Sequence, residues 1–392
     1  MINFLNEAKE IKQDLVTWRE HIHKNPELGF EEYNTSNYIM SFLKSEGIEG
    51  KYVSNTGIVA IIKGSGEKTI GIRADIDALP IQEKTNTSYK STRDGIMHAC
   101  GHDAHTAILM GVAKILNKNR ASLMGNVKLI FEPAEETVGG ARFMIKEGIL
   151  DDPKVDAVIG LHVDENIKFG EIGIKSGAVN AASNPFNIKI EGKGGHGAHP
   201  EVNVDPILIA SNIIVALQSI VSREISPTDA AVLTIGSIHG GTAQNIIPDE
   251  VNLSGIIRAM KTEDRSKIII RVKEISEGIA KAMRGNAVVE IIESYPCLYN
   301  DETLTEYFLK LAKDLLGDKV NLLSKPSMGV ESFAYFAQER PSFFYYLGCR
   351  NEERGIINSA HSPLFDIDEE CLVIGAALQC SFAFNYLING GN

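Results

Sequence analysis

Between residues 184 and 293 the chain changes rhythm, and no other feature of the sequence constrains its architecture as strongly. Residues 184–192 alternate apolar and polar, as a strand with one buried face does. A long helical pattern follows over 204–223. Two strand patterns, 230–238 and 250–260, then come in succession, before a second helix over 262–284 and a last strand over 287–293. That second helix opens on Thr262-Glu263-Asp264-Arg265, with acids in its first turn as the helix dipole prefers. The order β-α-β-β-α-β is that of the ferredoxin-like split βαβ unit. Its length of about 110 residues is enough for a domain of its own.

On either side, helices and strands alternate. Helical spacing covers 4–24 and 35–46, with Gly47 placed to end the second. β-Branched runs at 57–63 and 69–75 flank Gly64-Ser65-Gly66, which reads as a hairpin-like turn. A helix over 104–118, a strand over 126–131, a helix over 139–147 and a strand over 155–161 follow. After Pro296 the pattern resumes with helices at 302–315, 331–338 and 369–387 and a strand at 343–348. Such alternation implies an α/β domain whose sheet is largely parallel. With 392 residues the chain exceeds one ordinary core. The expectation is a discontinuous α/β domain, 1–183 and 294–392, with a central mixed sheet flanked by helices. An α+β domain, 184–293, is inserted into it.

Composition narrows the partners. A net charge of −12 disfavours nucleic acid and anionic membrane surfaces. No run of 18 or more apolar residues occurs, so no transmembrane helix is expected. The start, Met1-Ile2-Asn3-Phe4-Leu5-Asn6-Glu7, lacks the basic and apolar regions of a signal peptide, and a cytoplasmic location is expected. Five scattered cysteines do not suggest a disulfide framework. A cysteine in a histidine-rich segment is then a candidate ligand or nucleophile.

That segment is His98-Ala99-Cys100-Gly101-His102-Asp103-Ala104-His105, just before the helix at 104–118. A thiolate and an imidazole separated by one glycine can converge on one cation, because glycine lets the backbone bend sharply. Asp103 is placed to cap the helix. Phe131-Glu132-Pro133-Ala134-Glu135-Glu136 follows the strand at 126–131, at the edge where α/β sheets build sites. In a turn, one of two adjacent carboxylates can ligate a metal while the other moves a proton. His162 closes the apolar strand 155–161, and His361 lies in Asn358-Ser359-Ala360-His361-Ser362-Pro363 before the last helix. Cys, His, Glu, His and His exceed one tetrahedral site but suit two metals sharing a ligand. In Arg73-Ala74-Asp75-Ile76-Asp77-Ala78-Leu79-Pro80, Asp75 could orient a ligand from behind, and a polar turn reads equally well for it and Asp77. The inserted domain adds the histidine loop Gly194-Gly195-His196-Gly197-Ala198-His199-Pro200, then Gly240-Gly241-Thr242-Ala243-Gln244-Asn245. Arg258 lies on a strand, where a guanidinium can hold a carboxylate bidentately.

With these segments in place the chain resembles the M20 metallopeptidases. It is most similar to their amidohydrolase branch of hippurate hydrolases, N-acyl-amino-acid amidohydrolases and plant auxin-conjugate hydrolases. The resemblance runs from His23-Lys24-Asn25-Pro26-Glu27-Leu28-Gly29 through Arg73–Pro80, Met97–His105, Glu132–Glu136, Gly160–His162, Gly194–Pro200 and Asn245–Pro248 to His361–Pro363. It implies two divalent metals, zinc first, with manganese, cobalt or nickel as alternatives. Cys100 would bridge them, with Glu136 and His361 on one ion and His102 and His162 on the other. It implies Glu135 as general base, and the inserted domain as lid and homodimerisation domain. It also implies that His196 steadies the oxyanion in the partner subunit's site, and that Asn245 and Arg258 contact the substrate carboxylate. Where many members carry Ser-Glu-Asp-Phe, this chain has Val330-Glu331-Ser332-Phe333.

The expected activity is metal-dependent hydrolysis of N-acyl amino acids, releasing a carboxylic acid and a free amino acid. A dipeptidase or carboxypeptidase on the same scaffold is the alternative. A cysteine-nucleophile hydrolase would leave Glu135, Glu136 and His361 without a purpose. A non-catalytic binding module would leave the whole ligand set so.

Overall fold

The computed structural model describes residues 2–390. The chain forms two compact units. The larger takes Met1–Gly177, Tyr299–Lys325 and Glu331–Asn392, and the smaller takes Ala178–Leu298 and Pro326–Val330. The smaller is therefore wider than the expected 184–293. The first strand of its four-stranded sheet begins at Ala182. Residues 326–330, assigned from sequence to the outer domain, are bonded into it. Ser327 N–H donates to Val179 O at 2.8 Å, and Ala181 N–H donates to the carbonyls of Ser327 and Gly329 at 3.1 Å. A backbone contact between segments so distant in the chain leaves no periodic trace in either.

The larger unit is built on an eight-stranded mixed sheet. Its order is Gly50–Val53, Gly57–Ile62, Asn126–Glu132, Thr69–Asp75, Ala157–Lys168, Ser342–Arg350, Ile172–Ile174, Val320–Leu322. The four strands from Asn126–Glu132 to Ser342–Arg350 run parallel. Gly57–Ile62 and Ile172–Ile174 join this core antiparallel, one at each side. Central strands covered on both faces read as unbroken apolar runs, and Thr69–Asp75 is buried at every residue. The helix His102–Lys118 packs against Lys12–Lys24 and Glu370–Asn389.

Three local expectations change. The runs beside Gly64-Ser65-Gly66 do not form a hairpin. Gly57–Ile62 and Thr69–Asp75 pair instead with opposite edges of Asn126–Glu132. That strand is buried and needs backbone partners on both sides, which this arrangement provides. The helix expected over 4–24 divides at Ile11 into Phe4–Glu10 and Lys12–Lys24. The first piece packs chiefly on Glu370–Asn389 and the second chiefly on His102–Lys118, so each follows its own main partner. Third, Pro206–Glu224 and Glu370–Asn389 match a membrane span in length and mean hydropathy, although neither holds 18 uninterrupted apolar residues. The window in Glu370–Asn389 is 72% buried within the protein, as expected of a core helix.

The smaller unit is an antiparallel sheet in the order Ala231–Gly240, Glu250–Ala259, Ala182–Glu191, Asn286–Ile291. The helices Pro206–Ser219 and Thr262–Ala282 pack on it around Ile188, Ile190, Ile213, Leu253 and Val272. Strand order and connectivity are those of the split βαβ unit.

Candidate metal centre

The candidate ligands of the larger unit gather at the carboxyl ends of adjacent parallel strands, where α/β sheets place their sites. Thr69–Asp75 leads to Asp77. Asn126–Glu132 leads through Pro133 and Ala134 to Glu135 and Glu136. His162 lies inside Ala157–Lys168 rather than at its end, opposite Tyr346. The apolar run stops near His162, but the backbone ladder to Ser342–Arg350 continues, and hydropathy alone cannot show that.

Backbone geometry at this edge is unusual. Gly101 has φ +86°, and a Cβ there would lie 2.3 Å from Val163 Cγ2, so glycine is needed both for conformation and for space. His361 (φ +62°) and Ala134 (φ +53°) are left-handed without being glycine. Such residues persist only where their surroundings hold them. His361 N–H donates to Ala99 O at 2.7 Å, and Ala134 N–H donates to Glu32 Oε1 at 2.8 Å.

The ring nitrogens are sorted by what lies behind them. His162 Nδ1–H donates to Val163 O at 2.6 Å, which leaves Nε2, 3.3 Å from Cys100 Sγ, as the atom available to a metal. His102 Nδ1–H donates to Asp77 O at 3.0 Å, with Asp77 Oδ1 at 3.2 Å, and its Nε2 is likewise left to ligate. That Nε2 is 3.8 Å from Glu136 Oε1, which is 3.3 Å from His361 Nε2. His102 Nε2 and Glu136 Oε1 are buried without a hydrogen-bond partner among the described residues. Buried polar atoms are rarely left so. Two groups of donor atoms, each within 4.8 Å of one another, share Cys100: one with His102 and His162, the other with Glu136 and His361. A further group joins His102, Glu135 and Glu136. Sulfur, nitrogen and carboxylate donors around orphaned buried atoms fit divalent metal.

The electrostatics agree. Burial, reinforced by Glu136, pushes the Cys100 thiol well up, so it becomes a thiolate only beside a cation. Burial and the neighbouring Glu331 and Glu136 carboxylates push Glu135 well above the usual carboxylate range. Burial opposes ionisation of Glu136 too, but His361 and His102 outweigh it and lower it to about 2. Burial lowers His98 to about 3, and it belongs to none of these groups.

The residues behind the ligands were only partly foreseen. Asp75 Oδ2 lies 3.6 Å from His102 Nε2, but the hydrogen bonds of Asp75 go elsewhere. Its Oδ1 accepts from His105 Nδ1 at 2.6 Å, its Oδ2 accepts from Arg73 Nη1 at 2.9 Å, and His105 Nε2 in turn accepts Val163 N–H at 3.0 Å. Asp77 is the residue behind His102, and its Oδ2 also accepts Glu136 N–H at 3.0 Å. Strand alternation points Asp75 and Asp77 the same way, so the choice between them needed the structure. Asp103 does not cap its helix, because Gly101 occupies the N-cap. Its Oδ2 accepts from Arg19 Nε and His23 Nδ1, both at 2.8 Å, and ties the helix start to Lys12–Lys24. Arg73, buried in an apolar strand, was the missed signal: its Nε donates to Glu132 Oε2 at 2.6 Å and its Nη2 to Ser332 Oγ at 2.9 Å.

The smaller unit brings its own candidates together. The short strand Gly195–His196 pairs with Ile246–Ile247, and Gly197 N–H donates to Asn245 O at 2.8 Å. His196 is exposed, and its Nδ1 accepts Ala198 N–H at 3.1 Å. Arg258 is half-buried, pairs with Val232 and Ser183 across the sheet, and has a buried Nη1 with no hydrogen-bond partner among the described residues.

Residues 71–385 match the sequence profile of Peptidase family M20/M25/M40. The IAA-amino acid hydrolase ILR1-like 4 of Arabidopsis thaliana is 40% identical over 98% of this chain and 89% of its own. The N-acetyl-L-cysteine deacetylase of Bacillus subtilis is 41% identical over 93% and 86%. A solved Bacillus subtilis structure, described as a dinuclear metal binding peptidase from M20 family, superposes with a TM-score of 0.84 at 35% identity, covering 97% of this chain and 99% of that one. With sequence, fold and site in agreement, the chain belongs to peptidase family M20/M25/M40, on its amidohydrolase branch.

Proposed function

We propose that this hydrolase cleaves the amide bond of N-acyl amino acids, acetyl, benzoyl or similar, and releases a carboxylic acid and a free amino acid. One observation carries the reading: two groups of donor atoms share Cys100, and Glu135 lies with Glu136 and His102 in another, so that one carboxylate can hold metal while its neighbour moves a proton. Burial and facing charges also push the two carboxyls apart, Glu135 up and Glu136 down. The names of the deacetylase and conjugate-hydrolase relatives support the substrate class.

Two ions would be held by these donors, Glu136 and His361 serving one and His102 and His162 the other, with Cys100 common to both groups. The two donor groups that share Cys100 support this pairing. Bound metal supplies Lewis-acid polarisation and lowers the pKa of water, to about 7 for zinc. Zinc suits thiolate and imidazole, with manganese, cobalt and nickel as alternatives. Glu135 takes the proton of the attacking water and returns one to the amine nitrogen as the C–N bond breaks. His196 is assigned to the oxyanion, and Asn245 and Arg258 to the substrate carboxylate. The unpartnered Nη1 of Arg258 supports the last.

The smaller unit is proposed as lid and homodimerisation domain. Ile207, Leu208 and Val215 stand exposed on Pro206–Ser219, an apolar face that supports self-association. A monomer by light scattering sinks that assignment. The five cysteines are all free, which supports a reducing, cytoplasmic compartment; cell fractionation checks it.

Glu135→Gln should lower kcat by about 10²- to 10⁴-fold while metal content stays at the wild-type level. Retained turnover refutes the mechanism. A panel of N-acetyl and N-benzoyl amino acids beside dipeptides, run with each metal, tests the substrate, and faster turnover of dipeptides favours a peptidase.

A further inference from the structure

Ser332 stands at the N-cap of Phe333–Glu339, yet its hydroxyl does not cap that helix; Phe333 N–H donates instead to Glu331 Oε1 at 2.8 Å. The hydroxyl turns inward. It accepts from Arg73 Nη2 at 2.9 Å and donates to Glu132 Oε1. Both partners are buried and held elsewhere. Arg73 also bonds Glu132 Oε2 and Asp75 Oδ2, and Glu132 Oε1 also accepts Ala141 N–H at 2.6 Å. Asp75 and Glu132 sit side by side in register on adjacent strands. Ser332 is therefore fastened to the two strands whose ends carry the site. Its backbone N–H then donates to Glu135 Oε1 at 2.9 Å.

We propose that Ser332 is a positioning residue: anchored by Arg73 and Glu132, it fixes the orientation of the Glu135 carboxylate through its backbone N–H. The inference rests on Glu135 being the proton carrier. A serine suits the place because one neutral hydroxyl accepts from the guanidinium and donates to the carboxylate. Alanine keeps the N–H but loses both anchors. Small misplacement of a reacting group is costly in rate.

In the metal-loaded enzyme, Ser332→Ala should lower kcat by about 10- to 100-fold, with KM and metal equivalents within about twofold of wild type. Ser332→Cys fills the same space with a weaker donor and should show a smaller loss confined to kcat. It also keeps the question open to test if the alanine variant fails to fold. Added to Glu135→Gln, Ser332→Ala should cost almost nothing more, since its effect runs through Glu135. An unchanged kcat, a loss confined to KM or metal content, or an undiminished loss in the Glu135→Gln background each overturns the inference. The proposed function fails separately, if Glu135→Gln itself stays active.

Discussion

The candidate ligand cluster of the larger unit and the histidine loop of the smaller are built in opposite ways. Around Cys100, His102 and Glu136 most ionisable groups are buried or half-buried, with His361 exposed, and His102 and His162 are bonded from behind by Asp77 and Val163. Around His196 and Asn245 the side chains are exposed, and the segment is held by short backbone pairings and by side-chain bonds such as Gly194 N–H to Asp249 Oδ1 and Asn203 Nδ2–H to His199 O. Groups that must hold ions and move protons gain from rigid preorganisation. Groups that recognise a substrate can be ordered when it arrives, at some cost in binding. The difference implies that damage to the first region changes metal content or kcat, whereas damage to the substrate-binding candidates Asn245 and Arg258 of the smaller unit changes KM; His196, assigned to the oxyanion, would act on kcat instead.

The largest expected effect lies in the rigid region. Cys100→Ala should remove at least one of the two proposed metal equivalents per chain, measured by elemental analysis, and abolish turnover with it. Full metal content in that variant breaks the comparison. Next, Arg258→Ala should raise KM about 10- to 100-fold for substrates with a free carboxylate, with kcat much less affected and metal unchanged, because a charged hydrogen-bonding group is lost. Equal KM values for a free acid and its amide in the wild type would remove Arg258 from this role.

The smallest effect concerns the brace under Ala134. Burial raises Glu32 to about 7 from its ordinary 4.5. The unfolded chain loses this proton near 4.5 while the folded chain keeps it to about 7. Stability from this group is complete below about 4.5 and falls as pH rises towards 7, by up to about 3 kcal/mol in the limit. Glu32→Gln should flatten that part of the stability profile, as read from chemical unfolding at several pH values. An unchanged slope means that Glu32 is ionised throughout.

Legibility in the sequence followed the range of each interaction. The split βαβ unit was legible because its strands and helices alternate within one continuous stretch. The candidate ligands stood out because Cys100 and His102 lie in one histidine-rich segment, whereas Glu135 with Glu136, which alone reads as an acidic loop, gained meaning only beside it. The supporting shell was not. Arg73 appeared only as the start of a motif, Glu132 as a neighbour of Glu135, and Ser332 as a departure from the family pattern. Their bonds join three distant segments. The hairpin expected around Gly64-Ser65-Gly66 failed for the same reason, since the strand between the two runs comes from residues 126–132.

What the sequence alone determined is therefore the periodicity of each element and the chemistry of its polar residues, both carried by near neighbours along the chain. Tertiary structure alone decided which carboxylate stands behind His102, why the Ser332 hydroxyl turns away from its helix, and that the surroundings of Glu135 and Glu136 favour protonation of one and ionisation of the other. Burial and the charges that face a group across space set these properties, and neither is encoded in the identity of its neighbours along the chain.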